Sequence, residues 1–164
     1  MPTASQIAGQ ARCSTRSIFE RFSDLNALSL ATADYAITQG QAEAVARDVD
    51  SDRPTRIRSH VEIRAVACEK WLPLWRVITM PGQLPELQQR VVMVRRANIA
   101  RLELMYAPEL AILPDVARRE LLIGLATLTS FESWDQMRHW HNLSIADAQD
   151  VWRLAIDRLL PLAP

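Results

Sequence analysis

Apolar residues in this chain recur at three- and four-residue steps almost from end to end, and no run alternates apolar and polar residues as a half-buried strand would. That periodicity commits the chain to helices that each bury one face, so the expected fold class is all-α. Punctuation falls at Pro and at Asp/Ser clusters rather than at glycine turns. Thr3 is placed to cap a first helix over residues 3–11, with Gln6 as the reciprocal partner of a capping box. After the turn Arg12-Cys13-Ser14, Ser14 opens a second short helix that runs to Phe22. Ser23-Asp24 opens a third, expected to reach Arg47. The acidic, polar stretch 48–54 is a linker ending in Pro54, which suits the first turn of a long helix to Met80, bent at Pro73. Pro81-Gly82 breaks the pattern, and another long helix covers 85–106. Pro108 and Pro114 bracket a short apolar piece. One helix is expected over 115–140, capped by Asp115. Ser144 opens the last, with Asp147 in its first turn and Pro161 beyond its end.

The 164 residues suit one domain, or a small module joined to a larger one, and a hydrophobic fraction of 49% can build a core. Nineteen basic residues balance nineteen acidic ones, which excludes a histone-like polycation but not a local basic patch. All the basic residues except Lys70 are arginine, the side chain that forks onto phosphate or carboxylate; biased coding composition gives the same pattern. Cys13 and Cys68 are too few for a disulfide scaffold, so a reducing cytoplasm is expected. No run approaches the ~18 apolar residues of a membrane span, and the N-terminal residues lack the basic and apolar regions of a secretory signal, so no membrane partner is expected. Gly9, Gly40, Gly82 and Gly124 are scattered, which removes phosphate-cradling loops. His139 and His141 point about 200° apart on a helix and do not share an ion. No carboxylate pair sits with a base or nucleophile; Glu132 and Asp135 share a solvated face. No catalytic residue, metal or cofactor is expected.

The first two helices have the size of a helix-turn-helix. Ile7, Ala8 and Ala11 line one face of the first; Ile18, Phe19 and Phe22 line one face of the second. Thr15, Arg16, Ser17 and Arg21 point outward, where arginine forks onto guanine or phosphate and hydroxyls reach either. The same spacing also describes a plain helical hairpin with a solvated arginine face. Here the chain resembles the DNA-binding segment of TetR-type transcriptional regulators. The resemblance is carried by Ile7-Ala8, Ala11, Ser14, Arg16-Ser17-Ile18-Phe19, Phe22, Asp24 and Ala27-Leu28. Further on, Phe131 to Asp135, Leu143 to Asp147 and a last amphipathic helix are similar to that family's more variable C-terminal half.

The resemblance implies a helix-turn-helix segment over residues 1–28 and a helical ligand-binding and dimerisation domain over 29–164. It implies Thr3, Thr15, Arg16, Ser17, Phe19 and Arg21 at operator DNA. Four departures stand out. Arg12 occupies a turn position where the family has Gly, so a left-handed backbone there would be strained. Phe19 stands for Tyr and Leu25 for Lys, each removing a phosphate contact. The helix that precedes Thr3 in the family has no counterpart, so Ile7, Ile18 and Phe22 lack one wall of their core; an upstream start or a truncated gene is the expectation.

In the body, His60, Arg64, Cys68, Trp71, Trp75 and Met93 suit either a pocket for a small apolar or aromatic effector or ordinary core. The apolar stripes of the last two long helices suit either core or, as the resemblance implies, a four-helix homodimer interface of Leu121, Leu125, Leu128, Trp152 and Ile156. The functional expectation is a ligand-responsive DNA-binding regulator, a homodimeric repressor on a palindromic operator. The alternative is a dimerisation and ligand-binding module without DNA-binding activity.

Overall fold

The computed structural model describes residues 2–162 and is all-helical over them, with no β-strand among the described residues. The helices are α1 (Ala4–Gln10), α2 (Thr15–Arg21), α3 (Leu25–Glu43), α4 (Arg53–Ile78), α5 (Pro85–Met105), α6 (Ala107–Ala111), α7 (Asp115–Leu128), α8 (Phe131–Asp135) and α9 (Ile145–Leu159); a π-helical turn, Gln136–Trp140, follows α8. Among the described residues, no helix is long and apolar enough to cross a membrane.

Local chemistry sets most of these boundaries. Thr3 and Gln6 form the reciprocal capping box at α1, and Ser144 and Asp147 form one at α9. Ser14, Asp24 and Asp52 each accept a hydrogen bond from the third residue beyond them and start α2, α3 and α4. Two spans differ from the sequence expectation. Helix α3 stops at Glu43 rather than Arg47, and the chain leaves it toward Asp48, which adopts φ 58. The helix expected over 115–140 is broken. Thr129 ends α7, its hydroxyl donating back to the Leu125 carbonyl at 2.8 Å. Ser130 then turns extended and caps α8 through its hydroxyl. A Ser followed three residues later by a second polar residue is a start signal inside an apolar pattern, and here it overrides the periodicity.

Helix α4, 26 residues long, is the centre of the body and packs against α3, α5, α8 and α9. Its inward stripe is Ile57, Val61, Ala65, Cys68, Leu72 and Trp75. Pro73 sits on its exposed side, where the missing N–H is tolerated. Trp134 and Trp152, both fully buried, meet with ring centroids 4.6 Å apart and close the core between α8 and α9.

Among the described residues, one ion pair lies inside. Arg56 forks onto Glu109, with Nη2 donating to Oε1 at 2.6 Å and Nη1 to Oε2 at 2.8 Å; the side chains are 5% and 1% exposed. Arg56 Nη1 also donates to the Met105 carbonyl at 2.6 Å and Nε to the Ser51 carbonyl at 3.1 Å. The pair ties the first turn of α4 to the chain reversal between α5 and α6. Glu109 loses more by burial than any single contact returns, but the hydrogen bond and charge of Arg56 together hold its carboxyl below the ordinary value.

The stripes on α7 and α9 resolve toward the molecule's own core. Leu125, Trp152 and Ile156 are fully buried, and Leu121 and Leu128 are half-buried against them. Leu125, Trp152 and Ile156 therefore belong to the protomer's own core, while Leu121 and Leu128 keep part of their surface open. The outward large apolar residues are Val116 and Ile123 on α7, and Ile145, Val151, Leu154 and Leu159 on α9.

Candidate functional site

Two regions carry site character: the α1–α2 head, and a cavity in the body. The head turns through Arg12, whose φ of 52 is left-handed, at the position where glycine was missed in the sequence. The Cys13 N–H donates back to the Ala8 carbonyl at 3.0 Å and closes the turn. Ala8 and Ile18 are buried where the helices cross, while Ile7 and Phe22 are half-buried and Phe19 is 49% exposed.

The six expected DNA-contacting residues divide by role. The Thr3 hydroxyl is engaged in the α1 cap, accepting from the Gln6 N–H at 3.3 Å. Ser17 is half-buried, its N–H capped by the Ser14 hydroxyl at 3.0 Å. Thr15, Arg16, Phe19 and Arg21 are exposed at the surface. Helical spacing puts Arg16, Phe19 and Glu20 on one outward face and Arg21 on the other flank. Arg16 Nε donates to Glu20 Oε1 at 2.8 Å, an exposed i,i+4 pair that any phosphate must displace. Glu20 was not singled out in the sequence, although its spacing from Arg16 was readable.

The cavity, about 140 Å³, lies among α3, α4, α5 and the start of α8. Of the six residues expected at a ligand, Arg64, Trp71 and Trp75 line it. The other three do not. His60 is fully buried, its Nδ1 2.7 Å from the Tyr106 hydroxyl. Burial, helped by the charges of Arg64 and Arg101, pushes the His60 ring down to about 3, so it is neutral. Cys68 is also fully buried, and burial pushes its thiol up to about 11. Met93 lies on the outward side of α5, 53% exposed. Each is one helix face away from the cavity, a distinction the mixture of Trp, Met and Cys at helical spacing does not encode.

Apolar walls come from Ala33, Ala36 and Ile37 of α3, Ile63, Leu74 and Ile78 of α4, and Val94 of α5. Phe131 stacks on Trp75 with centroids 4.7 Å apart, and the Arg64 guanidinium lies 4.6 Å from the Phe131 ring centre. The break between α7 and α8 builds the polar side. Arg64 Nε donates to the Thr129 carbonyl at 2.8 Å, and Asn98 Nδ2 to the Thr129 hydroxyl at 3.4 Å. Arg101, on α5, completes this side; neither it nor Asn98 was singled out in the sequence, because an arginine or asparagine on a helix reads as solvated face. Among the described residues, no cluster of His, Cys, Asp and Glu is placed to hold a metal ion.

Helix α3 joins the two regions without interruption. It starts three residues after Phe22 and reaches the cavity with Ala33, Ala36, Ile37, Gly40, Gln41 and its C-cap Ala44.

Comparison of the chain with family models, with curated proteins and with solved structures finds no match.

Proposed function

We propose that this chain is a ligand-responsive, DNA-binding transcriptional regulator of TetR type, acting as a homodimeric repressor on a palindromic operator. The observation that carries the reading is the continuity of α3, which follows the two-helix head directly through the short link Ser23-Asp24 and at its other end forms a wall of the cavity. A ligand between α3 and α4 that prefers a displaced α3 shifts the population toward a head position unable to reach DNA. Contact with the operator falls to Thr15, Arg16, Phe19 and Arg21, with Arg16 exchanging Glu20 for phosphate or guanine. The dimer forms through the outward residues Val116, Ile123, Val151 and Leu154, so that two-fold symmetry matches two half-sites.

The test is operator selection from random duplexes, followed by fluorescence anisotropy over a salt series. The expected result is a salt-dependent complex that Arg16→Ala and Arg21→Ala each weaken, with a shallower salt slope. Unchanged binding in both variants rejects α2 as the recognition helix. A second reading, a dimerising ligand-binding module without DNA activity, is favoured by the thin core of the head, where among the described residues only Ala8 and Ile18 are buried. It requires rapid amide exchange over residues 3–22 beside protection over 115–160, and no complex with any selected duplex at moderate salt.

A further inference from the structure

The charged groups in the cavity wall are both cations. Arg64 and Arg101 line it, and no Asp or Glu does. Among the described residues neither arginine has a carboxylate within ion-pair distance, although most other arginines in the body do. Arg64 at least has the Thr129 carbonyl on Nε. Arg101 has less: its Nη1 is buried without a hydrogen-bond partner among the described residues, and so is the indole Nε1 of Trp71 on the same wall. Buried donors are normally satisfied, and Arg101 is half-buried with this one donor atom shut away from solvent. The two guanidiniums also oppose each other. Burial, and then the charge of Arg64, hold Arg101 below its ordinary value.

The arginines lie together at one end of the cavity. Asp34 of α3 pairs with Arg90 of α5, while Glu43 of α3 pairs with Lys70 of α4. Those pairs fix the order along the three helices, from Ala33, Ile78 and Val94 at one end to Ala44, Arg64 and Arg101 at the other. At the first end no ionic side chain lines the cavity. A cavity of about 150 Å³ with apolar walls takes one benzene ring, and this one is about 140 Å³.

We propose that the cavity binds a small apolar monocarboxylate, of the size of benzoate or hexanoate, with its carboxylate on Arg101 and Arg64 and its ring or chain against Trp75 and Ile78. The carboxylate supplies the missing counter-charge and accepts from the unpaired Arg101 Nη1. The proposal deepens the effector assignment, and rests on the regulator reading only for what ligand binding does to DNA.

The experiment is calorimetric titration of the full chain at pH 7 with benzoate, phenylacetate and hexanoate, each beside its neutral amide. At least one acid should bind one-to-one and at least tenfold tighter than its amide, the factor expected of a charge-assisted hydrogen bond. Arg101→Gln, checked for native helicity by circular dichroism, should remove that preference, and Arg101→Lys should keep most of it. No binding by any of the three acids overturns the proposal. Equal binding of acid and amide overturns it without any variant, and so does a preference that survives Arg101→Gln. Operator affinity is measured separately. An acid that binds without changing operator affinity upholds the carboxylate site and rejects the ligand-responsive regulator. Operator release by a neutral amide alone does the reverse.

Discussion

Glu109→Ala strikes the internal ion pair and leaves Arg56 inside the body without its counter-charge. The Glu109 side chain is 1% exposed and accepts both arms of the Arg56 fork, at 2.6 and 2.8 Å. Water therefore cannot replace the lost carboxylate without opening the contact between α4 and α6. Breaking one side of such a pair costs about 3–5 kcal/mol. For a chain of this length, each kcal/mol moves Tm by roughly 2–4 °C, so a fall of about 6–20 °C is expected. The assay is urea unfolding followed at 222 nm at pH 7, with thermal melts beside it. A second variant, Arg56→Met with Glu109→Ala, separates the pair from its surroundings. It should recover part of the loss, because the unpaired cation is gone, although the Met105 and Ser51 carbonyls lose a donor. Acid gives an independent reading. The folded carboxyl titrates below its unfolded value, so the pair's contribution is complete above the unfolded pKa and is lost as pH falls through the folded one. The gap between wild type and Glu109→Ala should narrow over that window. A loss under ~1 kcal/mol, or strictly additive effects in the double variant, would refute the reasoning.

Three further outcomes are expected. Arg12→Gly relieves a left-handed residue and should stabilise the head by up to about 1 kcal/mol, read as slower exchange of the Cys13 and Ile18 amides; faster exchange contradicts it. His60 titrates near 3 when folded, so the unfolded chain takes up a proton that the folded chain refuses, and stability falls as pH drops below the unfolded value. At pH 5 this amounts to about 2 kcal/mol, and His60→Gln should flatten the slope between pH 7 and 5. Leu154→Glu should leave the melting curve of the monomer intact and abolish any dimer in sedimentation, whereas Trp152→Ala should cost about 3–5 kcal/mol of folding stability. A folded, dimeric Leu154→Glu protein removes α9 from the interface.

How legible all this is in the sequence differs from element to element. Caps are local, so Thr3, Ser14, Asp24 and Ser144 announce their helices in a few residues. The positive φ at Arg12 was foreseeable through the resemblance alone, which places a glycine at that turn position. Face assignments are not local. Helix α9 carries apolar residues on two sides, Trp152 and Ile156 inward and Val151 and Leu154 outward, and periodicity cannot choose between them. The cavity is harder still. Its polar end depends on the break at Thr129, which brings a carbonyl from the α7–α8 junction against Arg64, a residue 65 positions away in the chain. The pairing of Arg56 with Glu109, 53 positions apart, is equally silent until α4 and α6 are packed.

Because α3 is one unbroken rod of 19 residues, its two ends are locked in rotational phase. Each residue advances the helix by about 100°. Deleting or inserting one residue between Leu28 and Ala33 would leave the head and the cavity wall each able to fold, yet would turn the head by more than a quarter revolution against the body. Two residues would turn it past the half. Only a change near three or four residues would bring it back into alignment. For the proposed coupling of cavity to head, the length of this segment can change only in whole helical turns.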